Sequence, residues 1–572
     1  MTSIQIDMFE VQLGAALMLQ FQLQNGDVVR VLADAGVNKS SGYSSEHVYN
    51  KLFENNGNPT SVWTDFSSKK PKLDLIVGTH YDEDHLNGLI PIIENNNLDI
   101  DEIWLPPVQD DDEKVNADSV SSGELNLVQR IMADDSGKVL KHYLSRRLDL
   151  IEKLEKIYET ALEQFEQKDN SRHEHLQELK KTRQNRTNYF REKPLGDSNN
   201  IIEFFEAQLS YANKVLDQQS FDHAMKCQED ENQAFCDEIE ILKYQRLNFP
   251  WFERIGLWEH DLFVKSILLG QWKNESTFRS CHIALETIRK SAAKEAINAT
   301  NLCKVVDAIK YRRSKDCNTR IVSEAISQGI PRYFRWNGVK FQEANKHDPS
   351  ELGFHLMGPS HELVAQLHDK IPIGTYLLAY CNADLKSGSV TPSNRLSYVM
   401  RFHLNDQAIL ITGDAGFSDF APPKPKFAPP KTKNYYPDLQ KLLTPLHVVQ
   451  IAHHGGNNHR FYQALDAAGM PSQKDWSFLL LSHAFNDASR PRVEFSRFVA
   501  QFRNNKNDNV SVLFTSQPLK DKVESILELI HPVVPTTNQS ANTGDVRLTY
   551  PAVSDPGRGG TLWKVEKHCI QV

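Results

Sequence analysis

Apolar and polar positions alternate toward both ends of this chain and follow a helical period in the stretch between them. In the first hundred residues, Ile4 to Phe9, Ala15 to Leu23 and Val28 to Leu32 read as strands of a meander. The Asn25-Gly26 pair, tolerant of positive φ, sets a hairpin between the last two. The uninterrupted apolar run LDLIV, Leu73 to Val77, predicts a short buried strand that stops at Gly78-Thr79-His80, and a helix is expected over Leu86 to Ile93. Further along, Leu144, Leu148, Ile151, Leu154, Tyr158, Leu162 and Phe165 recur three or four apart among Glu, Lys and Arg. That spacing draws one apolar stripe along an amphipathic helix, expected to pair with a later helix as a coiled-coil hairpin. Strand texture returns in Val339 to Phe341, Phe354 to Met357, Ser397 to Phe402, Ala408 to Ile411, Val448 to Ile451, Phe478 to Leu481 and Val510 to Phe514. The simplest architecture is one layered α/β domain, residues 1–107 and 331–572, interrupted by a helical insertion at 108–330. The proline-rich stretch Ala421 to Asp438 predicts an exposed, stiff loop.

Length and composition narrow the class. At 572 residues the chain exceeds one compact core, and 24% charged with 40% hydrophobic residues describes a soluble globular protein. The mean hydropathy is −0.50. Apolar runs such as Phe478 to Leu481 fall far below the ~18 residues that cross a bilayer. The opening MTSIQIDMFE lacks the basic and apolar regions of a signal peptide, so the expected setting is cytoplasmic, without a membrane. A net charge of −9 argues against a protein that coats nucleic acid with its whole surface, while leaving a local basic groove open. Seven cysteines without a CxxC pair predict reduced thiols rather than a disulfide framework or zinc knuckle. The flank from Lys180 to Lys193 mixes cations with aromatics, either as a solvated helix face or as a contact for phosphate or a partner protein.

Candidate chemistry collects where predicted strands end. Thr79-His80-Tyr81-Asp82-Glu83-Asp84-His85 places His80, Asp82, Asp84 and His85 within six residues, directly after LDLIVG. In an extended turn His80, Asp82 and Asp84 share a side, and His85 joins them as the helix begins. Imidazole and carboxylate are the ligands that Zn²⁺, Mn²⁺ or iron accept where a site keeps positions open for water. Asp414 follows Gly413 at the end of Ala408 to Ile411, and His453-His454-Gly455 follows Val448 to Ile451. Adjacent histidines diverge on a strand, so one of His453 and His454 is expected to ligate and the other to face substrate or a supporting partner.

In combination these motifs resemble the metallo-β-lactamase fold, specifically the ComEC-like branch found as the hydrolase domain of a DNA-uptake channel. His80-x-Asp82-x-Asp84-His85, Gly413-Asp414 and His453-His454-Gly455 carry the resemblance. Leu32-Ala33-Asp34-Ala35-Gly36, Phe354 to Ser360 and Asn394 to Phe402 are similar to further segments of that branch. The resemblance spans residues 1–107 and 331–572 and leaves the insertion unmatched. It implies a four-layer αββα sandwich with two divalent ions, Zn²⁺ or Mn²⁺. Asp84, His85 and one of His453 or His454 would hold one ion, His80 and Asp82 the other, with Asp414 bridging. Asp82 replaces the second His of the commoner motif, and Ser397 lies near where many relatives place another histidine. Ser489-Arg490-Pro491 stands where the branch usually has Gly-His-Pro, so Arg490 either clamps a phosphate or is a surface cation.

The resemblance further implies hydrolysis by a metal-activated water, with a phosphodiester in nucleic acid or a nucleotide as the expected substrate. Asp84, His454, His483 and Arg490 are the expected catalytic positions. A bacterial antiviral defence role is expected, with the 108–330 insertion docking a protein partner. Alternatives are an interaction protein with a structural or vestigial metal site, or a hydrolase of lactone or thioester bonds. Serine hydrolase and P-loop NTPase chemistry have no support, since neither GxSxG nor GxxxxGK[ST] occurs.

Overall fold

The fold is taken from a computed structural model that describes residues 2–38, 41–54, 58–63, 70–108, 126–165, 177, 180–181, 184, 198–218, 275–315, 318–366, 392–421, 435–456, 458–504, 509–530, 543–551 and 563–567. The chain divides into two compact units. One comprises Met1–Asp135, Asn301–Leu367 and Val390–Val572; the other comprises Ser136–Thr300 and His368–Ser389.

The first unit is α/β and built on two mixed sheets. Its strands are β1 (Ser3–Met8), β2 (Ala16–Gln22), β3 (Val28–Ala35), β4 (Lys72–Val77), β5 (Asp99–Trp104), β6 (Arg320–Val322), β7 (Arg332–Trp336) and β8 (Phe341–Glu343). They continue with β9 (Gly353–Gly358), β10 (Val399–Leu404), β11 (Gln407–Ile411), β12 (Val448–Gln450), β13 (Ser477–Leu481), β14 (Val510–Phe514), β15 (Val546–Tyr550) and β16 (Lys564–Lys567). The first sheet runs β16-β15-β1-β2-β3-β4-β5-β6 and the second β14-β13-β12-β11-β10-β9-β7-β8. Each changes character along its width. Neighbours from β16 to β3 are antiparallel and those from β3 to β6 parallel. Neighbours from β8 to β11 are likewise antiparallel and those from β11 to β14 parallel.

Period-two alternation sets the core. Ile4, Ile6 and Met8 of β1, Leu17, Leu19 and Phe21 of β2, and Phe354, Leu356, Met400 and Phe402 of β9 and β10 share one buried cluster. The sheets pack face to face through aromatic pairs: Phe21 on Phe402 at 6.2 Å between ring centroids, and Trp104 edge-on to Phe334 at 5.0 Å and to Phe354 at 5.3 Å.

Local departures from the sequence expectation have local causes. The strand expected at Val339 to Phe341 is largely a turn: Gly338 sits at φ 94° and Asn337 Oδ1 accepts from the amides of Val339 and Lys340. Val339 is exposed there, and the strands lie on either side as β7 and β8. The helix expected over Leu86 to Ile93 is split into Glu83–Leu86 and Leu89–Glu94 by Gly88, where a Cβ would sit 1.8 Å from the Ala35 carbonyl oxygen. Strand β6 lies inside the span expected to be the helical insertion, and pairs in parallel with β5.

In the second unit, Leu144, Leu148 and Ile151 of helix Lys138–Phe165 pack with Ile201, Phe204 and Phe205 of helix Ser198–Gln218. Ala292, Ala293 and Ala296 of helix Glu275–Arg313 join the same cluster. Three helices therefore share this core, where a two-helix coiled-coil hairpin was the expectation; the small alanine face admits the third helix closely. The side chains of Leu154, Tyr158, Leu162 and Phe165 lie outside the described residues, as do most of the Lys180 to Lys193 flank, the proline-rich residues 422–434 and the cysteine side chains other than Cys303. Cys303 is a free thiol, its pKa pushed up to about 12 by burial first and Asp307 second. No described helix is long and apolar enough to cross a membrane.

Candidate metal centre

Five strands of the first unit end at one place. The apolar run of β4 stops at Gly78 and delivers Thr79 and His80, and the short helix after it carries Asp84 and His85. Strand β11 delivers Asp414, β12 delivers His453 and His454, β13 delivers His483, and β3 contributes Asp34 near its end. Carboxyl ends of parallel strands are where α/β sheets place ligands, because the backbone turns away there and leaves a crevice. The two sheets are tied at this edge: the Tyr398 amide, just before β10, donates to the Thr79 carbonyl at 2.8 Å.

Asp414 is the hub. Its Oδ1 lies 3.5 Å from His85 Nε2 and 3.5 Å from His454 Nε2, and its Oδ2 lies 3.8 Å from His80 Nε2 and 3.9 Å from His453 Nε2. Asp82 Oδ2 lies 3.6 Å from His80 Nε2. Three overlapping groups have donor atoms within 4.8 Å of one another: His80 with Asp82 and Asp414, His80 with Asp84 and His85, and His85 with Asp414 and His454. His454, rather than His453, shares a group with Asp414, and it is buried where the His453 side chain is 24% exposed.

Backbone strain builds the hub. His453, His454 and Gly455 all sit at positive φ, 55°, 52° and 68°, so the chain coils left-handed after β12. Such a run costs of order 1–3 kcal/mol per non-glycine residue and persists only where its surroundings hold it. Gly413, at φ 48°, approaches Thr79 so closely that a Cβ would lie 2.2 Å from Oγ1. Gln450 Oε1 accepts from the amides of Thr412 and Gly413 at 3.0 and 3.2 Å and so fixes the turn that presents Asp414.

Asp34, itself at φ 56° and fully buried, orients His85. Its Oδ2 accepts from His85 Nδ1 at 2.8 Å and from Thr79 Oγ1 at 2.5 Å, and its Oδ1 accepts from the Thr79 amide at 2.6 Å. With Nδ1 donating, the free lone pair of a neutral His85 is on Nε2, the atom facing Asp414. Asn394 Nδ2 donates to Asp414 Oδ2 at 3.1 Å.

Charge is balanced inside the cluster. Burial opposes protonation of His85, but Asp34 and Asp414 outweigh it and hold the imidazole well above its ordinary range. Burial alone would raise Asp414, yet the surrounding His453, His454 and His85 hold its carboxyl well below the usual range. Burial keeps His454 well below, with Asp414 opposing. Asp84 is raised, first by burial and then by Asp82 and Asp414, against the pull of His85.

These residues suit a metal ion. His80 Nε2, His85 Nε2, His454 Nε2 and Asp414 Oδ1 are buried and make no hydrogen bond with any described residue. Orphans of this kind cost roughly 1–3 kcal/mol each, and cations accepting these lone pairs would remove that cost. Among the described residues the remaining expected positions differ in role. His483 is buried with Nδ1 3.3 Å from Ser516 Oγ and Nε2 3.1 Å from the Arg490 carbonyl oxygen, so both nitrogens are engaged away from Asp414. Arg490 pairs with Asp487 at 3.6 Å, and a Cβ added at Gly456 would meet Arg490 Nε at 3.2 Å and His453 Nδ1 at 3.3 Å, which puts the guanidinium beside the histidine turn. Ser397 Oγ is buried without a hydrogen-bond partner. Sequence reasoning did not name Asp34, Thr79, Asn394 or Gln450 as site residues; Asp34, Thr79 and Asn394 stood inside the quoted motifs, and that was their one signal.

Compared with known proteins, the chain matches no protein-family model, no curated protein and no solved structure.

Proposed function

We propose that this chain is a metal-dependent phosphodiesterase or nuclease with a four-layer αββα metallo-β-lactamase fold of the ComEC-like branch. The observation that carries the reading is Asp414, whose two carboxylate oxygens each face imidazoles delivered by different strand ends. One set, His80, Asp82 and Asp414, would hold one divalent ion, and the other, His85, Asp414 and His454 with Asp84 alongside, would hold the second. Ions there supply Lewis acidity toward a phosphoryl oxygen and make water nucleophilic at neutral pH. The chain's own residues do the positioning. Asp34 accepts from His85 Nδ1 and so aims Nε2 at Asp414, Asn394 holds Asp414, and Asp414 keeps the two sets in one frame. Arg490 sits beside His453 with its side chain 23% exposed, suited to an anionic phosphate, while His483 fixes the Arg490 carbonyl and is a positioning residue.

The test is hydrolysis of bis(p-nitrophenyl) phosphate, single- and double-stranded DNA, RNA and cyclic nucleotides by pure protein supplied with Zn²⁺ or Mn²⁺. Asp414→Ala and His85→Ala should lower kcat/KM by more than the roughly 100-fold that loss of an outer partner costs. Turnover that survives both substitutions, or that needs no metal, rejects the proposal.

A further inference from the structure

A second group of histidines lies on the opposite face of the second sheet. Because Phe354, Leu356, Met400 and Phe402 point into the core between the sheets, alternation puts His355, Arg401 and His403 on the other face of β9 and β10. His347, from the connection between β8 and β9, closes over them. Ring centroids are 4.7 Å apart for His347 and His355, 4.5 Å for His347 and His403, and 5.6 Å for His355 and His403. One ring nitrogen from each lies within 4.8 Å of the others. His403 is five residues along the chain from Tyr398, about 17 Å at strand rise from the end of β10 that meets Thr79. This group is therefore distinct from the centre at Asp414.

The environment is that of a site rather than of ordinary packing. His355 is 6% exposed and His403 1%, while neither nitrogen of His403 nor Nδ1 of His355 has a hydrogen bond of good geometry with a described residue. Phenylalanine or leucine would fill the same space without three orphaned polar atoms, each costing roughly 1–3 kcal/mol. Tyr333 lies against all three rings at 5.2, 4.9 and 5.6 Å, and Gly353 makes room for it, since a Cβ there would sit 2.7 Å from the phenol oxygen. Burial first, then His347 and Arg401, lowers the pKa of His355 to about 3. Burial first, then His347, His355 and Arg401, lowers that of His403 to about 2, with only a small opposing pull from the Asp348 backbone.

We propose that His347, His355 and His403 form a second metal site that takes one borderline transition-metal ion, of which Zn²⁺ is the type, with its fourth position open to water or an anion. Three imidazoles around a tetrahedral ion at zinc–nitrogen distances of about 2.0–2.1 Å have ring centres about 5 Å apart, which the observed spacings bracket. Arg401, buried and drawn down to about 10 but still cationic, shares this face with Nε and one terminal nitrogen making no hydrogen bond. Its charge works against ions bound by charge alone, such as Mg²⁺ and Ca²⁺, which also want oxygen ligands. Zn²⁺, bound through strong metal–nitrogen bonds, tolerates that neighbour better, and an anion in the fourth position would be stabilised by it.

The test uses the full chain, stripped of metal with a chelator, reloaded with Zn²⁺ alone and dialysed before elemental analysis, with affinity read by competition against a zinc indicator. Wild-type protein should retain one more zinc per chain than His403→Leu, with a dissociation constant at this site under about 1 µM. His347→Ala removes an exposed ligand without disturbing the interior, and should weaken that zinc at least 10-fold. Asp414→Ala, which dismantles the other centre, should leave this zinc in place. Equal zinc content in wild type, His403→Leu and His347→Ala would overturn the proposal, as would loss of all zinc in Asp414→Ala. Should His403→Leu fail to fold, the His347→Ala comparison decides alone.

Discussion

Asp34 offers the sharpest perturbation of the centre at Asp414. Its two oxygens accept three hydrogen bonds in a fully buried setting: from the Thr79 amide, from Thr79 Oγ1 and from His85 Nδ1. Asp34→Ala would orphan all three donors at roughly 1–3 kcal/mol each, a total of roughly 3–9 kcal/mol against a typical stability of about 5–15 kcal/mol. That variant tests folding, not the centre. Asp34→Asn is the informative change. The amide oxygen keeps Thr79, but the amide nitrogen can only donate, so His85 Nδ1 must become the acceptor and its proton must move to Nε2. Nε2 is the atom 3.5 Å from Asp414 Oδ1, and once protonated it cannot ligate. Reversing a tautomer held by an outer partner should weaken metal binding by about 10–100-fold, or roughly 1.4–2.7 kcal/mol. Competition with a zinc indicator measures the affinity, nitrogen-15 shifts of the imidazole report the tautomer, and circular dichroism confirms an intact fold. An intact Asp34→Asn protein with wild-type zinc affinity, or with His85 still protonated on Nδ1, would refute the assignment of His85 Nε2 as a ligating atom.

Three further outcomes are expected. His454→Ala should lose metal affinity by at least about 10-fold more than His453→Ala, because among the described residues His454, and not His453, shares a ligand-spaced group with His85 and Asp414; equal losses in a zinc titration would reverse that ranking. Gly413→Ala should destabilise by about 2–5 kcal/mol, from the left-handed φ of 48° plus the 2.2 Å approach to Thr79, and chemical denaturation with an unchanged midpoint would contradict it. Burial first raises Asp419 to about 6 from 3.8, against hydrogen bonds from Ser360. A carboxyl raised in the folded state binds its proton more tightly folded than unfolded, so its contribution favours folding at low pH and is lost as pH rises between about 4 and 6, by up to about 3 kcal/mol. Asp419→Asn should flatten that part of the stability profile, and a variant profile parallel to wild type would dismiss the effect.

What was legible in the sequence depended on whether the signal was local. The strands β1, β2, β4, β11, β13 and β14 declare themselves through alternation or short apolar runs, and each lies within a few residues of the expectation. Strand β5 did not, because its inner turn of sequence carries acids. Glu102 is buried in it, 3.3 Å from Arg320 Nε of β6, an ion pair between parallel strands that lie more than two hundred residues apart in the chain. Neither acid nor arginine looks like a strand residue until the partner is known. Strands β15 and β16 have the same character: β15 joins the first sheet by pairing with β1, β16 pairs with β15 at its edge, and Arg547 meets Asp7 at 2.6 Å. The helical stripe at Leu144, Leu148 and Ile151 was readable for the same reason as the short apolar strands, while the alanines that complete its core carry too little hydrophobic weight to announce a partner.

The candidate centre shows the same division more sharply. Ligand-type residues were visible because their chemistry is unusual at strand ends, but which of two neighbours faces inward was not. Strand alternation predicts that His453 and His454 point apart, and the structure instead places both in left-handed backbone, so that both ring Nε2 atoms lie within 4 Å of Asp414 while only one is buried. That geometry is enforced from outside the segment by the Gly413 carbonyl that accepts from the His453 amide, and within it by Gly455, which accommodates the third consecutive positive φ. Asp34 was hidden for a related reason. It stands in sequence just past the strand expected at Val28 to Leu32, yet it lies within β3 at positive φ and is buried beneath His85 by the approach of Gly36, where a Cβ would lie 2.1 Å from the Asp84 and His85 backbone. Residues that bond a ligand can be found from their type, whereas residues that aim a ligand are ordinary acids, amides and glycines whose role exists only in the contact between segments.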